Sequence, residues 1–211
     1  MPGIHPITHV EIICGPMFAG KTSEGITRGF TFAEINGGKC LVLSHLKDVR
    51  PEITGESGVS SHSKLVANLP IDGFHHEATD CLLSTLDTML DCDFFTISKI
   101  VSIILDEAQF FNPVDVEKFV RLVHRLKLAR HLYVCGLDGD LNQKAFNDWI
   151  SRILPLSDNI RKLSAYCMHR GDAPDGGFCN ADAKFTKRRL DAPDGDIGGS
   201  ERWTAVCRSH L

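Results

Sequence analysis

The sequence predicts an α/β fold in which a parallel sheet flanked by helices carries a phosphate-binding loop, followed by a small C-terminal metal-binding module. Three observations carry this. Apolar, β-branched runs at residues 10–15, 39–45 and 100–105 alternate with segments of helical period. The octapeptide Gly15-Pro16-Met17-Phe18-Ala19-Gly20-Lys21-Thr22 fits GxxxxGK[ST] and sits between the first strand and the first helix. Beyond about residue 165 the apolar runs vanish, and cysteines and histidines stand among turn residues.

The elements follow in order. VEIICG at 10–15 is a strand ending in glycine, and the helix after the loop runs to the stop signal Asn36-Gly37-Gly38. Within that helix Gly25 and Gly29 each cost about 1 kcal/mol relative to Ala, so packing has to hold it. KCLVLSH at 39–45 is the second strand. Residues 46–70, rich in Gly and Ser and without firm period, are expected to form a mobile loop. Asp80 is placed to cap a helix over CLLSTLDTML, whose Leu82, Leu83, Leu86, Met89 and Leu90 share one face. The run IVSIIL at 100–105 suits a strand covered on both faces. Pro113 opens a helix to about Leu128 with Val116, Phe119, Val120 and Val123 at helical spacing. HLYVCGLDG follows as a further strand. In such a fold the ligand site lies at the carboxyl ends of the strands, where every motif below falls. The expected division is residues 1–163 for the α/β domain and 164–211 for the small module. In that module DAPDG occurs at 172–176 and again at 191–195, tight-turn chemistry that suggests a hairpin-like unit.

Composition excludes several classes of function. The chain has 211 residues, 43% hydrophobic and 24% charged, enough for one full domain and an appendage. Lys and Arg number 23 against 27 Asp and Glu, a net charge of −4, so no basic field is available to hold polymeric nucleic acid. The apolar runs fall well short of the roughly 20 residues that cross a membrane. The N-terminal segment has no basic stretch before its apolar run, and Glu11 interrupts that run, so a cytosolic (cytoplasmic) protein is expected. There a disulfide framework is not expected for the eight cysteines. Cys14, Cys40, Cys81, Cys92 and Cys135 lie in apolar stretches and are expected in the core. Cys167, Cys179 and Cys207, with His169 and His210, look like metal ligands.

The chemistry concentrates in three places. In the GxxxxGK[ST] loop, backbone N–H groups wrap phosphates, Lys21 supplies charge and Thr22 a ligand for Mg²⁺. Asp106 and Glu107 end the most apolar strand, where paired carboxylates are costly unless a cation or a polar site receives them. On a strand, neighbours point to opposite sides, so one acid is expected to serve Mg²⁺ and the other the nucleophile. Cys207-x-x-His210 is a half-site for tetrahedral zinc.

Taken together, GPMFAGKTSE, KDVR at 47–50, LDEAQFF at 105–111, LDGDLNQKAF at 137–146, KLSAYCM at 162–168, FTKR at 185–188 and IGGSERWTAVCRSH at 197–210 resemble the type II, zinc-containing thymidine kinases. They stand in the family's order and cover nearly the whole chain. The resemblance implies a RecA-like ATP-binding core and a zinc domain whose lasso closes over the nucleoside. It implies ATP-dependent phosphorylation of thymidine at the 5′-hydroxyl, with deoxyuridine as a second substrate, in nucleoside salvage. It makes Glu107 the base, assigns Asp106 to the Mg²⁺ site and sets Arg50 near the transferring phosphoryl group. Met17, Phe110, Leu137, Phe146, Phe185, Thr186 and Ile197 match positions around the nucleoside. Leu141 stands where an aromatic residue is usual, and Trp203 where the family has Tyr. The resemblance further implies zinc on Cys167, Cys179, Cys207 and His210, although residue 170 is Arg where the family has Cys; His169 competes with Cys179 as the fourth ligand. The expected partners are ATP and a small nucleoside, with no nucleic acid or membrane, in a homotetramer. The alternative is a P-loop ATPase whose zinc module binds a nucleic acid or protein partner, and the net charge argues against the nucleic acid.

Overall fold

A computed structural model describes residues 8–47, 73–171, 177–190, 192 and 200–211. Six strands, β1 (His9–Gly15), β2 (Lys39–His45), β3 (Phe74–Thr79), β4 (Ile100–Leu105), β5 (His131–Leu137) and β6 (Asn159–Lys162), form one parallel sheet in the order β3-β2-β4-β5-β1-β6. The helices are α1 (Lys21–Ile35), α2 (Leu82–Asp91), the single turn α3 (Phe94–Ile97), α4 (Pro113–Leu126) and the short α5 (Trp149–Ile153). The side-chain alternation of the strands divides the core. Ile103 and Leu105 of β4, with Ile12 and Val134, join one buried cluster under α2 and α4; Ile104, with Ile13, Val42 and Cys135, joins a second under α1. Burial on both faces explains the continuous apolar runs of the central strands.

Helix α1 shows how packing overrides poor propensity. A Cβ on Gly25 would come within 2.6 Å of Cys135 Sγ, and one on Gly29 within 2.8 Å of Ile104 Cδ1. The two glycines form a flat notch that lets the helix backbone lie directly on β4 and β5. Helix α4 begins as expected, with Pro113 in its first turn and Asn112 Oδ1 accepting from the Val114 N–H at 2.9 Å. It ends at Leu126, two residues before Leu128, because Lys127 takes φ 54°.

Several expectations change. Asp80 does not cap α2; the hydroxyl of Thr79 accepts from the Cys81 N–H at 3.0 Å and from Thr85 at 2.8 Å, and Asp80 is exposed. Cys14, Cys40 and Cys135 are buried, but Cys81 and Cys92 are exposed. Those two stand just outside either end of α2, away from the face that buries Leu82, Leu86 and Met89. Strands β3 and β6 were not expected: FHHEAT and NIRK lack apolar runs because both are edge strands. Of the segment 46–70, only Leu46 and Lys47 lie within the described residues, in a turn.

The C-terminal segment folds on small antiparallel ladders. β7 (Ala165–Tyr166) pairs with β8 (Asp182–Ala183), and β9 (Phe185–Arg188) pairs with β10 (Trp203–Val206). Ala165, Cys167, Ala183, Ala205, Val206 and Cys207 form a third buried cluster, and Phe18 and Ala19 of the phosphate loop pack against it. The DAPDG repeats lie outside the described residues, apart from Ala192.

Candidate active site

The phosphate loop leaves β1 through Gly15 and enters α1 through Gly20, whose φ of 77° is in the left-handed region. A side chain at Gly15 would strike the Leu163 carbonyl oxygen at 2.7 Å. Lys21 opens α1, is buried, and donates through Nζ to the Pro16 carbonyl at 2.8 Å. Thr22 follows in the same first turn, so its hydroxyl stands at the helix start, the end of a helix that favours an anion.

The acid pair lies two strands away in the sheet, with β5 between. β4 ends at Leu105; Asp106 still donates its N–H to the Leu43 carbonyl at 2.8 Å, whereas Glu107 turns into the left-handed region with φ 53°. Both acids thus lie past the end of β4, and Glu107 has left the extended conformation on which strand alternation rests. Both are buried. Their field converges with that of Lys21 on the end of β5: burial pushes the Cys135 thiol well up, Asp106 and Glu107 add to the rise, and Lys21 opposes it. Glu107 Oε2 accepts a hydrogen bond from Gln109 Nε2. Gln109 Oε1 in turn accepts from the Leu137 N–H at 3.0 Å. Trp149 Nε1 donates to the Leu137 carbonyl at 2.9 Å, and Asn147 Nδ2 donates to the Gln109 and Phe111 carbonyls at 3.2 and 3.0 Å.

Between the phosphate loop and β9 lies a cavity of about 240 Å³, lined by Pro16, by Asp138, Gly139, Asp140 and Gln143–Ala145 of the loop after β5, by Lys162, and by Lys184, Phe185 and Thr186. Asp138 pairs with Lys162 at 2.6 Å, and Lys184 donates to Ser164 Oγ. Thr186 Oγ1 accepts from the Met17 N–H at 3.0 Å, which ties β9 to the phosphate loop. Directly opposed strand residues share a face, so the register that sets Thr186 against Ala205 and Arg188 against Trp203 puts Trp203, which is buried, on the same side as Thr186. Phe110 and Phe146 meet edge to face at 6.4 Å. Leu137 ends β5, and Leu141 sits exposed in the loop that Asp140 braces by accepting from the Asn142 and Lys144 amides, each at 2.8 Å. Arg50 and Ile197 lie outside the described residues.

Cys167, Cys179, Cys207 and His210 bring one ligand atom each within 4.8 Å of the others. Three thiols and an imidazole match structural zinc in number and kind. Burial acts to raise the Cys167 thiol, but hydrogen bonds from the Cys207 and His169 backbone and from the His210 ring bring it down to about 7 from 9.0, which favours the thiolate that a metal needs. His169 is not in this set. Its ring stacks on His210 at 4.0 Å, so Cys179 is the fourth member of the cluster.

The sequence singled out neither Gln109 nor Asn147. A lone polar residue in the apolar turn AQFF was the available signal for Gln109, since a buried amide must be satisfied on both ends.

Proteins that set a phosphate loop beside strand-end carboxylates in one sheet move phosphoryl groups, and this chain is of that class. The sequence profile of the thymidine kinase family matches residues 8–211. The thymidine kinase of Myxoma virus (strain Uriarra) is 33% identical over 201 residues, covering 94% of this chain and 93% of its own. That of Sheeppox virus (strain KS-1) is 30% identical over 203 residues, 95% and 94% of the two chains. The cytosolic thymidine kinase of Cricetulus griseus is 29% identical over 204 residues, 94% of this chain and 71% of its own. The chain belongs to the thymidine kinase family. No helix among the described residues is long and apolar enough to cross a membrane.

Proposed function

We propose that the protein transfers the γ-phosphoryl group of ATP to the 5′-hydroxyl of thymidine, and of deoxyuridine, in nucleoside salvage in the cytoplasm. The observation that carries this is the placement of the loop Gly15–Thr22 and the buried pair Asp106 and Glu107 at the carboxyl ends of β1 and β4 in one parallel sheet, with β9 tied to the loop through Thr186 and Met17. The loop Gly15–Thr22 binds the triphosphate, with Lys21 turning from Pro16 to the phosphates. Thr22 and Asp106 are the ligands for Mg²⁺, which neutralises phosphate charge when bound. Glu107 accepts the 5′-hydroxyl proton as that oxygen bonds to phosphorus and the bond to the ADP oxygen breaks. Arg50 adds positive charge at the transferring group. Phe110, Leu137, Leu141 and Phe146 from the core, with Phe185, Thr186, Ile197 and Trp203 from residues 164–211, enclose the nucleoside over Met17. Zinc on Cys167, Cys179, Cys207 and His210 is structural, because four protein ligands leave no open position. The working enzyme is a homotetramer with a domain boundary near residue 163.

The test is phosphoryl transfer from ATP with Mg²⁺ to thymidine, deoxyuridine, deoxycytidine, deoxyadenosine and deoxyguanosine, the product analysed by ³¹P NMR. Thymidine and deoxyuridine should give 5′-monophosphates at rates at least about a hundredfold above the rest, a margin that hydrogen-bonded base recognition can reach. Equal transfer to all five, or none, would overturn the proposal.

A further inference from the structure

We infer that Gln109 is a positioning residue that holds the Glu107 carboxylate in its working orientation; this rests on the proposal that Glu107 is the base. Gln109 is 1% exposed, and its amide has one available orientation. The Leu137 N–H can only donate, so Oε1 must face it at 3.0 Å. That leaves the NH₂ group aimed at Glu107, where Nε2 donates to Oε2. A flip would set N–H against N–H and oxygen against carboxylate at once.

The surroundings are shaped around this amide. A Cβ on Gly136 would approach Gln109 Oε1 to 2.7 Å and the Trp149 ring to 2.8 Å, so β5 carries glycine where the amide crosses it. Trp149 Nε1 holds the Leu137 carbonyl at 2.9 Å and thereby the peptide next to the amide's anchor. Asn147 bonds the carbonyls of Gln109 and Phe111, which fixes the turn bearing both Glu107 and Gln109. β5 lies between the strand that ends in the phosphate loop and the strand that ends in the acids. The amide therefore references the base to the sheet and, through β5, to β1.

A carboxylate left free to rotate spends less of its time in line with the proton it must take, so its loss of anchor is a loss in kcat and not in affinity. The experiment compares Gln109→Met, Gln109→Glu, Glu107→Gln and the double variant Glu107→Gln/Gln109→Met in the full-length enzyme by single-turnover transfer from ATP to thymidine. Gln109→Met removes the donor to Glu107 at similar volume. Gln109→Glu keeps an acceptor for the Leu137 N–H but sets a second carboxyl against Glu107, so the pair shares a proton and the acidic limb of the kcat–pH profile should move up. Thermal melts check the fold of each variant. Both single Gln109 variants should lose about 10- to 100-fold in kcat, with both KM values within about threefold of wild type. The double variant should be no slower than Glu107→Gln alone, because a residue acting through Glu107 has nothing left to act on. Wild-type kcat in Gln109→Met, or losses that multiply in the double variant, would overturn the inference and leave Glu107 as the base. Near wild-type kcat in Glu107→Gln would overturn the assignment of the base, and the inference with it.

Discussion

Glu107 takes a backbone conformation, φ 53°, that costs a non-glycine residue about 1 kcal/mol or more. Phe18, in the phosphate loop, does the same at φ 63°. Both are held by packing and hydrogen bonds in the part of the molecule where chemistry is proposed. The motifs made the loop, Asp106 and Glu107 legible, because few other uses exist for those residue types in that order. The third member of the arrangement was not legible: a glutamine has many uses, and only the Leu137 N–H and the Gly136 gap show which one applies. Glu107→Gln should lower kcat by about 10²- to 10⁴-fold with ATP affinity unchanged. Lys21→Ala should also weaken ATP binding, since it removes charge from the phosphates; calorimetric titration with a non-hydrolysable ATP analogue separates the two. Trp203→Ala should raise the KM for thymidine about tenfold with little change for ATP. An unchanged thymidine KM would remove Trp203, and the face it shares with Thr186, from the nucleoside site.

Secondary-structure elements were legible in proportion to how fully they are buried. β1, β2, β4 and β5 announced themselves through apolar runs, and α4 through Asn112-Pro113 and its buried stripe. The edge strands β3 and β6 did not, because each pairs on one side only and carries polar residues. The expected cap of α2 is absent: Cys81 holds the N-cap position with no side-chain cap, and the Thr79 hydroxyl, not Asp80, braces the turn before it by accepting from the Cys81 N–H. Helix α1 gives a sharper test of packing. Gly25→Ala should destabilise the protein, although Ala is the better helix former, because its methyl meets Cys135 Sγ. Overpacking of this kind costs about 1–3 kcal/mol, read as a lowered midpoint in chemical denaturation; a raised midpoint would show that the notch is not needed. The C-terminal hairpin makes a second prediction, because Phe18, Ala19 and the Met17 N–H all rest on it. Stripping metal with a chelator should therefore raise the KM for ATP as well as that for thymidine. Unchanged ATP kinetics in the stripped enzyme would uncouple the module from the phosphate loop.

At the scale of the whole molecule, the proposed reaction divides its labour between one sheet and one small module. β1 supplies the phosphate loop, β4 the acids, β5 the wall between them, and β9 the far side of the cavity. Neither the loop nor the hairpin encloses the cavity alone, since Pro16 comes from one and Thr186 from the other. The net charge of −4 suits a small phosphorylated substrate held by local charge rather than a polymer held by a broad field. An arrangement of this kind should hold the γ-phosphoryl group unreactive until an acceptor hydroxyl fills the space beside Glu107. Release of ADP from ATP and Mg²⁺, measured with and without thymidine, tests this most directly. Thymidine should accelerate ADP release at least about a hundredfold, with one thymidine monophosphate formed per ADP; ADP release at the same rate without nucleoside would mark the protein as an ATPase and contradict the account.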